Sequence, residues 1–156
     1  MLRALLSMPP LFYRLGFART RLGRRMLLLT TTGRRTGRPR TCGLNYAQDG
    51  DITYVISGWG PRADWYRNLV AEPRVRVQLG ERTWVARAVT VEDAERRRQA
   101  IRRIRGLGPS QGPPKILRPV FRAFGLDYDA ELRALDDDAP GTPVVALEPL
   151  PADASS

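Results

Sequence analysis

Residues 26–40 read Met26-Leu27-Leu28-Leu29-Thr30-Thr31-Thr32-Gly33-Arg34-Arg35-Thr36-Gly37-Arg38-Pro39-Arg40. Leucines running into threonines suit a buried strand. The two glycines predict a turn over 33–37, and 40–47 reads as the returning strand. Asp49-Gly50 is a two-residue hairpin signal that leads into a strand over 52–57. Further along, Val75, Val77 and Leu79 alternate with Arg74, Arg76 and Gln78, the period of a half-buried strand. Gly80-Glu81 turns that strand into another over 82–91, and a last strand is expected over 142–147. About six mostly antiparallel strands with short turns predict an α+β domain built on a barrel rather than an open sheet.

The helices fall between the hairpins. Pro61 suits a first helical turn, with Trp65/Leu69 and Tyr66/Val70 as i,i+4 pairs and Pro73 as the stop. Thr90 and Asp93 resemble a capping box for a very basic helix reaching about Arg105. Ile116, Leu117, Val120, Phe121 and Phe124 make an apolar stripe at helical spacing, kinked or begun at Pro119. Residues 127–135 read as a short helix. Residues 1–25 form a basic amphipathic segment broken at Pro9-Pro10: a helix docked on the core, a membrane-surface element or a lid. The organisation is thus 1–25 helical, 26–148 barrel and 149–156 flexible tail.

Composition excludes much chemistry. The 156 residues include no histidine, which removes the commonest general base and every His-containing triad or metal site. Cys42 is the single cysteine, so no internal disulfide or thiolate cluster forms, and it reads as a small buried hydrophobe. No metal site is expected. Net charge is +10, with ten Arg and no acid over 1–48 against eight acids and only Arg133 over 127–156. Charge so divided calls for an anionic partner: a phosphate-bearing ligand, nucleic acid or an acidic membrane. Nucleic acid is disfavoured because no helix-turn-helix, zinc finger or RNP module is present. No apolar run spans a bilayer or makes a signal h-region, and the expectation is a cytoplasmic protein with possible membrane contact through 1–25.

Two stretches carry chemistry. In the 33–37 turn, glycine lets the backbone approach a ligand, and Arg34, Arg35 and Thr36 add the donors a phosphate seeks. No GxxxxGK[ST] pattern is present. The second stretch is Ser57-Gly58-Trp59-Gly60-Pro61-Arg62-Ala63-Asp64-Trp65-Tyr66-Arg67-Asn68-Leu69. A glycine turn feeding a helix start offers N–H groups to an anion or a polar ring edge. Trp59, Trp65 and Tyr66 offer flat faces to a planar heterocycle, although Trp65 and Tyr66 also suit core packing.

The run LLLTTTGRRTGRPRT, the Asp49-Gly50 hairpin, SGWGPRADWYRNLVAEPRVRVQLG and the closing TPVVALEP together resemble the deazaflavin (coenzyme F420)-dependent nitroreductase family, split β-barrel reductases of actinobacteria. The similarity covers roughly 26–148. It implies a split β-barrel, often a homodimer, that binds F420 (8-hydroxy-5-deazaflavin) and reduces a quinone, nitroaromatic or activated alkene. Carried over by residue, Arg34, Arg35, Thr36 and Gly37 would bind the cofactor's phosphate and acidic tail, with Arg40 beside them. Ser57 and Gly58 would line the deazaflavin ring, with Trp59 near and Trp65 and Tyr66 beneath. Ser57 and Tyr128 are the catalytic candidates. The chain departs from the family in having Gly43 where Pro is common, in a shorter loop after Ser57, and in lacking clear counterparts of the acceptor-pocket tyrosines. The implied reaction suits a chain without histidine, since a deazaflavin delivers a hydride itself and the protein supplies binding and orientation. The alternative is a non-catalytic binder of the deazaflavin or of a lipid-like ligand.

Overall fold

The structure, a computed structural model, describes residues 27–57, 60–106, 119 and 141–151. Seven antiparallel strands form one sheet: β1 (Leu27–Thr32), β2 (Pro39–Leu44), β3 (Tyr46–Asp49), β4 (Ile52–Ile56), β5 (Arg74–Leu79), β6 (Arg82–Thr90) and β7 (Val144–Pro149). Between β4 and β5 lie a 3₁₀ turn, Gly60–Arg62, and helix α1, Asp64–Ala71; helix α2, Ala94–Gly106, follows β6.

The strand order is β2-β1-β5-β6-β7-β4-β3, so β2 and β3 are the two edges. Yet only Asn45 separates them in the chain. Laid flat, seven strands at ~4.8 Å spacing would put those edges ~29 Å apart. Two Cα steps reach at most ~7.6 Å. The sheet must therefore curl until its edges meet at Asn45, which makes it a split barrel in which 39–49 is one bent strand serving both edges. That is the reason six expected strands become seven: the single run expected over 40–47 breaks at Asn45, with Leu44 opposite Leu27 and Tyr46 opposite Val55.

Alternation divides the core in two. Leu27 and Leu29 of β1, Val55 of β4, Val75 and Val77 of β5, Ala86 and Ala88 of β6, and Val145 and Leu147 of β7 pack together inside the curl. The opposite faces of β3, β4 and β7 present Ala47, Tyr54, Ile56, Val144 and Ala146 to Ala100, Ile101 and Ile104 of α2. Full burial of a side chain such as Ile101 is worth ~1.5–3 kcal/mol. Polar anchors fix α2: Arg96 donates to the Tyr54 hydroxyl at 3.0 Å, and Arg103 pairs with Asp49 at 3.0 Å. Helix α1 instead closes one end of the curl, with Leu69, Trp65 and Tyr66 joining the interior cluster.

Several boundaries differ from expectation for local reasons. The β3–β4 loop is Gly50-Asp51, because Asp49 pairs with Ile52. Gly50 has φ +60°, and Gly80 of the β5–β6 hairpin also has φ +60°. No non-glycine residue among those described has positive φ. Both loops therefore follow the II′ pattern, with glycine leading, rather than I′. Thr90 is the end of β6 and not a cap; Asp93 caps α2 itself, accepting from Arg96 N at 2.8 Å. The last strand begins at Val144 and includes Pro149, and Leu150 N donates to Val85 O, so the chain is still paired where a tail was expected. The helices read over 1–25, 116–124 and 127–135 lie outside the described residues, apart from Pro119. No described helix is long and apolar enough to cross a membrane.

Candidate functional site

The turn after β1 is closed by two backbone bonds, Gly33 N to Arg38 O at 2.8 Å and Gly37 N to Gly33 O at 2.7 Å. Its glycines serve different needs. A Cβ on Gly33 would lie 2.9 Å from Thr36 Oγ1 and 3.1 Å from Arg38 O, so nothing larger fits. Gly37 has open space but a φ of +67°, which L-residues avoid. Thr36 Oγ1 accepts from Arg38 N at 3.3 Å, folding the tip over its own backbone.

Arg34 does not point out to a ligand. Its backbone N and its Nη1 both donate to Asn68 Oδ1, at 3.2 and 3.0 Å, and its Nη2 pairs with Asp64 Oδ1 at 3.1 Å. Asn68 is buried, 4% exposed, and its Nδ2 donates to Thr31 Oγ1 at 3.2 Å. Thr31 in turn donates weakly to Arg40 O at 3.4 Å. The turn is thus clamped to α1 and to the end of β1 by one polar chain.

What the clamp leaves free among the described residues is a basic surface. Arg35, Thr36, Gly37, Arg38 and Arg40 are exposed, and among the described residues Arg35, Arg38 and Arg40 make no ion pair. The backbone N–H groups of Arg35 and Thr36 have no partner among the described residues. A groove of about 260 Å³ runs from Gly37 and Pro39 across Thr30 and Thr32 to Arg74 and Arg76. Unpaired N–H groups beside guanidinium forks fit a phosphate-bearing ligand with an acidic tail.

Ser57 lies at the end of β4, 1% exposed. Its Oγ donates to Gly60 O at 2.6 Å, Gly60 N donates to Ser57 O, and Ser57 N donates to Pro143 O. The hydroxyl ties Ser57 to Gly60; Gly58, Trp59 and Tyr128 lie outside the described residues. Trp65 and Tyr66 are half-buried, edge to face at 6.1 Å, and Tyr66 OH meets Thr90 Oγ1 at 3.3 Å. They pack in the closed end of the curl. The structure thus brings Arg34 to Arg40 together with α1. Cys42 is half-buried against the interior cluster, and desolvation there pushes its thiol up to about 12, which disfavours the thiolate. No cluster of three or more metal-ligating side chains occurs among the described residues.

Sequence reasoning overlooked Asn68 and Arg38. For Asn68 a signal existed: it stands between Trp65 and Leu69 on the apolar side of a short helix, where a polar side chain needs a partner.

A curled antiparallel sheet with a basic, glycine-bounded turn beside its closed end defines a split-barrel protein. The model of the F420H(2)-dependent quinone reductase family matches residues 15–109, and the chain belongs to that family of oxidoreductases. It is 42% identical over 69 residues to F420H(2)-dependent quinone reductase Rv1261c of Mycobacterium tuberculosis, a match covering 42% of this chain and 46% of that protein. The chain therefore spans about half the length of the curated relatives it matches. Among solved structures, protein Rv2991 from Mycobacterium tuberculosis aligns with a TM-score of 0.57 at 16% identity, over 88% of this chain and 80% of the other. F420-H2 dependent reductase FDR-A aligns at 0.51 and 22%, over 80% and 95%. At these identities the structural likenesses speak for the split-barrel fold.

Proposed function

We propose that this protein binds coenzyme F420 at the 33–40 turn and, in its reduced form, uses it to convert a quinone to a hydroquinone. The observation that carries this reading is the pair of N–H groups at Arg35 and Thr36, flanked by the exposed guanidiniums of Arg35, Arg38 and Arg40, all without a partner among the described residues. Family membership gives the ligand its identity.

When bound, the reduced deazaflavin supplies the hydride. The chain's own residues bind and orient. The turn holds the phosphate, the groove toward Arg74 and Arg76 takes acidic tail groups, and the aromatic closed end around Trp65 and Tyr66 backs the ring. Ser57 acts through shape, because its hydroxyl is engaged as a hydrogen-bond donor to Gly60 O. Reduction of a quinone also consumes one proton, which solvent or Tyr128 would deliver. Nitroaromatics and activated alkenes are electrophilic enough to accept the same hydride and extend the acceptor range. Assembly as a homodimer and membrane contact through residues 1–25 belong to the same proposal.

The test is anaerobic mixing of the protein with reduced F420 and 2-methyl-1,4-naphthoquinone. Recovery of oxidised-deazaflavin fluorescence at a rate proportional to protein is the expected result. Tight F420 binding with no oxidation by any quinone, nitroaromatic or enone would instead make the chain a carrier of the cofactor.

A further inference from the structure

We propose that Asn68 is the positioning residue of the phosphate-binding turn, a role that rests on the reading of that turn given above. The argument begins with what Asn68 has given up. It sits on a helix of eight residues, is 4% exposed, and occupies a position where a leucine would add to the interior cluster. A buried amide is costly unless its donors and acceptor are used. Here they are: Oδ1 accepts twice from Arg34, and Nδ2 donates to Thr31. The contact with Arg34 N matters most. It fixes the Gly33–Arg34 peptide, and so constrains the direction of the next two N–H groups, those of Arg35 and Thr36, which have no partner among the described residues.

Arg34 then has a different role from its neighbours. It neutralises part of the clamp and holds the turn against α1 through Asn68 and Asp64, while Arg35, Arg38 and Arg40 face the ligand. Loss of Asn68 would leave the guanidiniums present but let the Arg35 and Thr36 N–H groups lose their aim. The effect falls on the phosphate and not on the ring, because α1 meets the interior cluster through Trp65, Tyr66 and Leu69.

The experiment compares two probes by fluorescence titration of the full chain: F420, and its deazaflavin-ribityl fragment without phosphate. Asn68→Ala should weaken F420 about tenfold, the equivalent of one charge-assisted hydrogen bond. Its affinity for the fragment should stay within about twofold of the parent by the same reasoning. Asn68→Asp should restore F420 binding, since a carboxylate accepts both Arg34 bonds and the Thr31 hydroxyl can turn to donate to it. Asn68→Ser, which keeps a hydroxyl near Thr31 but cannot reach Arg34, serves if the alanine variant does not fold, with the same pattern expected. Equal weakening of both probes, or of neither, overturns the assignment. Arg35→Ala separates the two levels: if it leaves F420 affinity unchanged, the phosphate reading itself falls; if it weakens F420 while Asn68→Ala does not, only the positioning role falls.

Discussion

Arg34 and Arg35 are adjacent and chemically identical, yet their surroundings are opposite, and alanine at each should show it. Arg34 Nη1 meets the buried Oδ1 of Asn68 at 3.0 Å, a charged donor to a desolvated acceptor, worth about 1.5–3 kcal/mol. Its second contact, to Asp64, adds little, about 0–1 kcal/mol, because that carboxylate is 69% exposed. The backbone bond from Arg34 N survives the substitution. Arg34→Ala should therefore cost about 2–3 kcal/mol, or about 5–10 °C in Tm for a chain of this length. Arg35→Ala, on an exposed side chain without an ion pair among the described residues, should stay within about 0.5 kcal/mol of the parent. Urea and thermal unfolding followed by circular dichroism measure both. F420 titration should reverse the ranking of their effects relative to stability, with Arg35→Ala losing affinity in a fully stable protein. An unchanged Tm for Arg34→Ala together with abolished F420 binding would refute the division and make Arg34 the anion ligand.

Gly33→Ala should disrupt the turn, since its Cβ would press on Thr36 Oγ1 and Arg38 O, and F420 affinity should fall more than for Gly37→Ala, where only about 1 kcal/mol of left-handed strain is added. Ile101→Ala, at a site 1% exposed on the inner face of α2, should destabilise by about 2–5 kcal/mol while leaving the affinity of the remaining folded protein unchanged, measured by urea unfolding and titration. Cys42 should resist iodoacetamide at pH 8 in the native state and react on addition of urea. Its thiol is raised in the folded form, so the unfolded chain loses its proton first, and Cys42 subtracts stability as pH climbs from about 9 toward 12. A Cys42→Ala variant should show a smaller alkaline loss of Tm; rapid native alkylation at pH 8 would contradict the burial argument.

The barrel was legible because its signals are local and periodic. Val75 and Val77 against Arg74 and Arg76 state a face outright, and Gly50 and Gly80 mark hairpins whichever residue leads the loop. The break at Asn45 was not legible: Leu44 and Tyr46 look like one strand, and only closure of the sheet forces them onto different neighbours. Of the site, the turn could be read from its glycines and arginines, but the roles of Arg34 and Arg35 could not. Nothing in the dipeptide distinguishes them. The distinction is made 34 residues away, by a side chain on the helix that closes the curl. Ser57 follows the same logic, since its type suggests a proton donor, while Gly60 O, three residues on, already accepts its hydrogen bond. A basic turn becomes a specific anion site only when a second element holds its backbone still. In the proposed site that element is α1, whose buried Asn68 amide holds Arg34 N while the Arg35 and Thr36 N–H groups have no partner among the described residues.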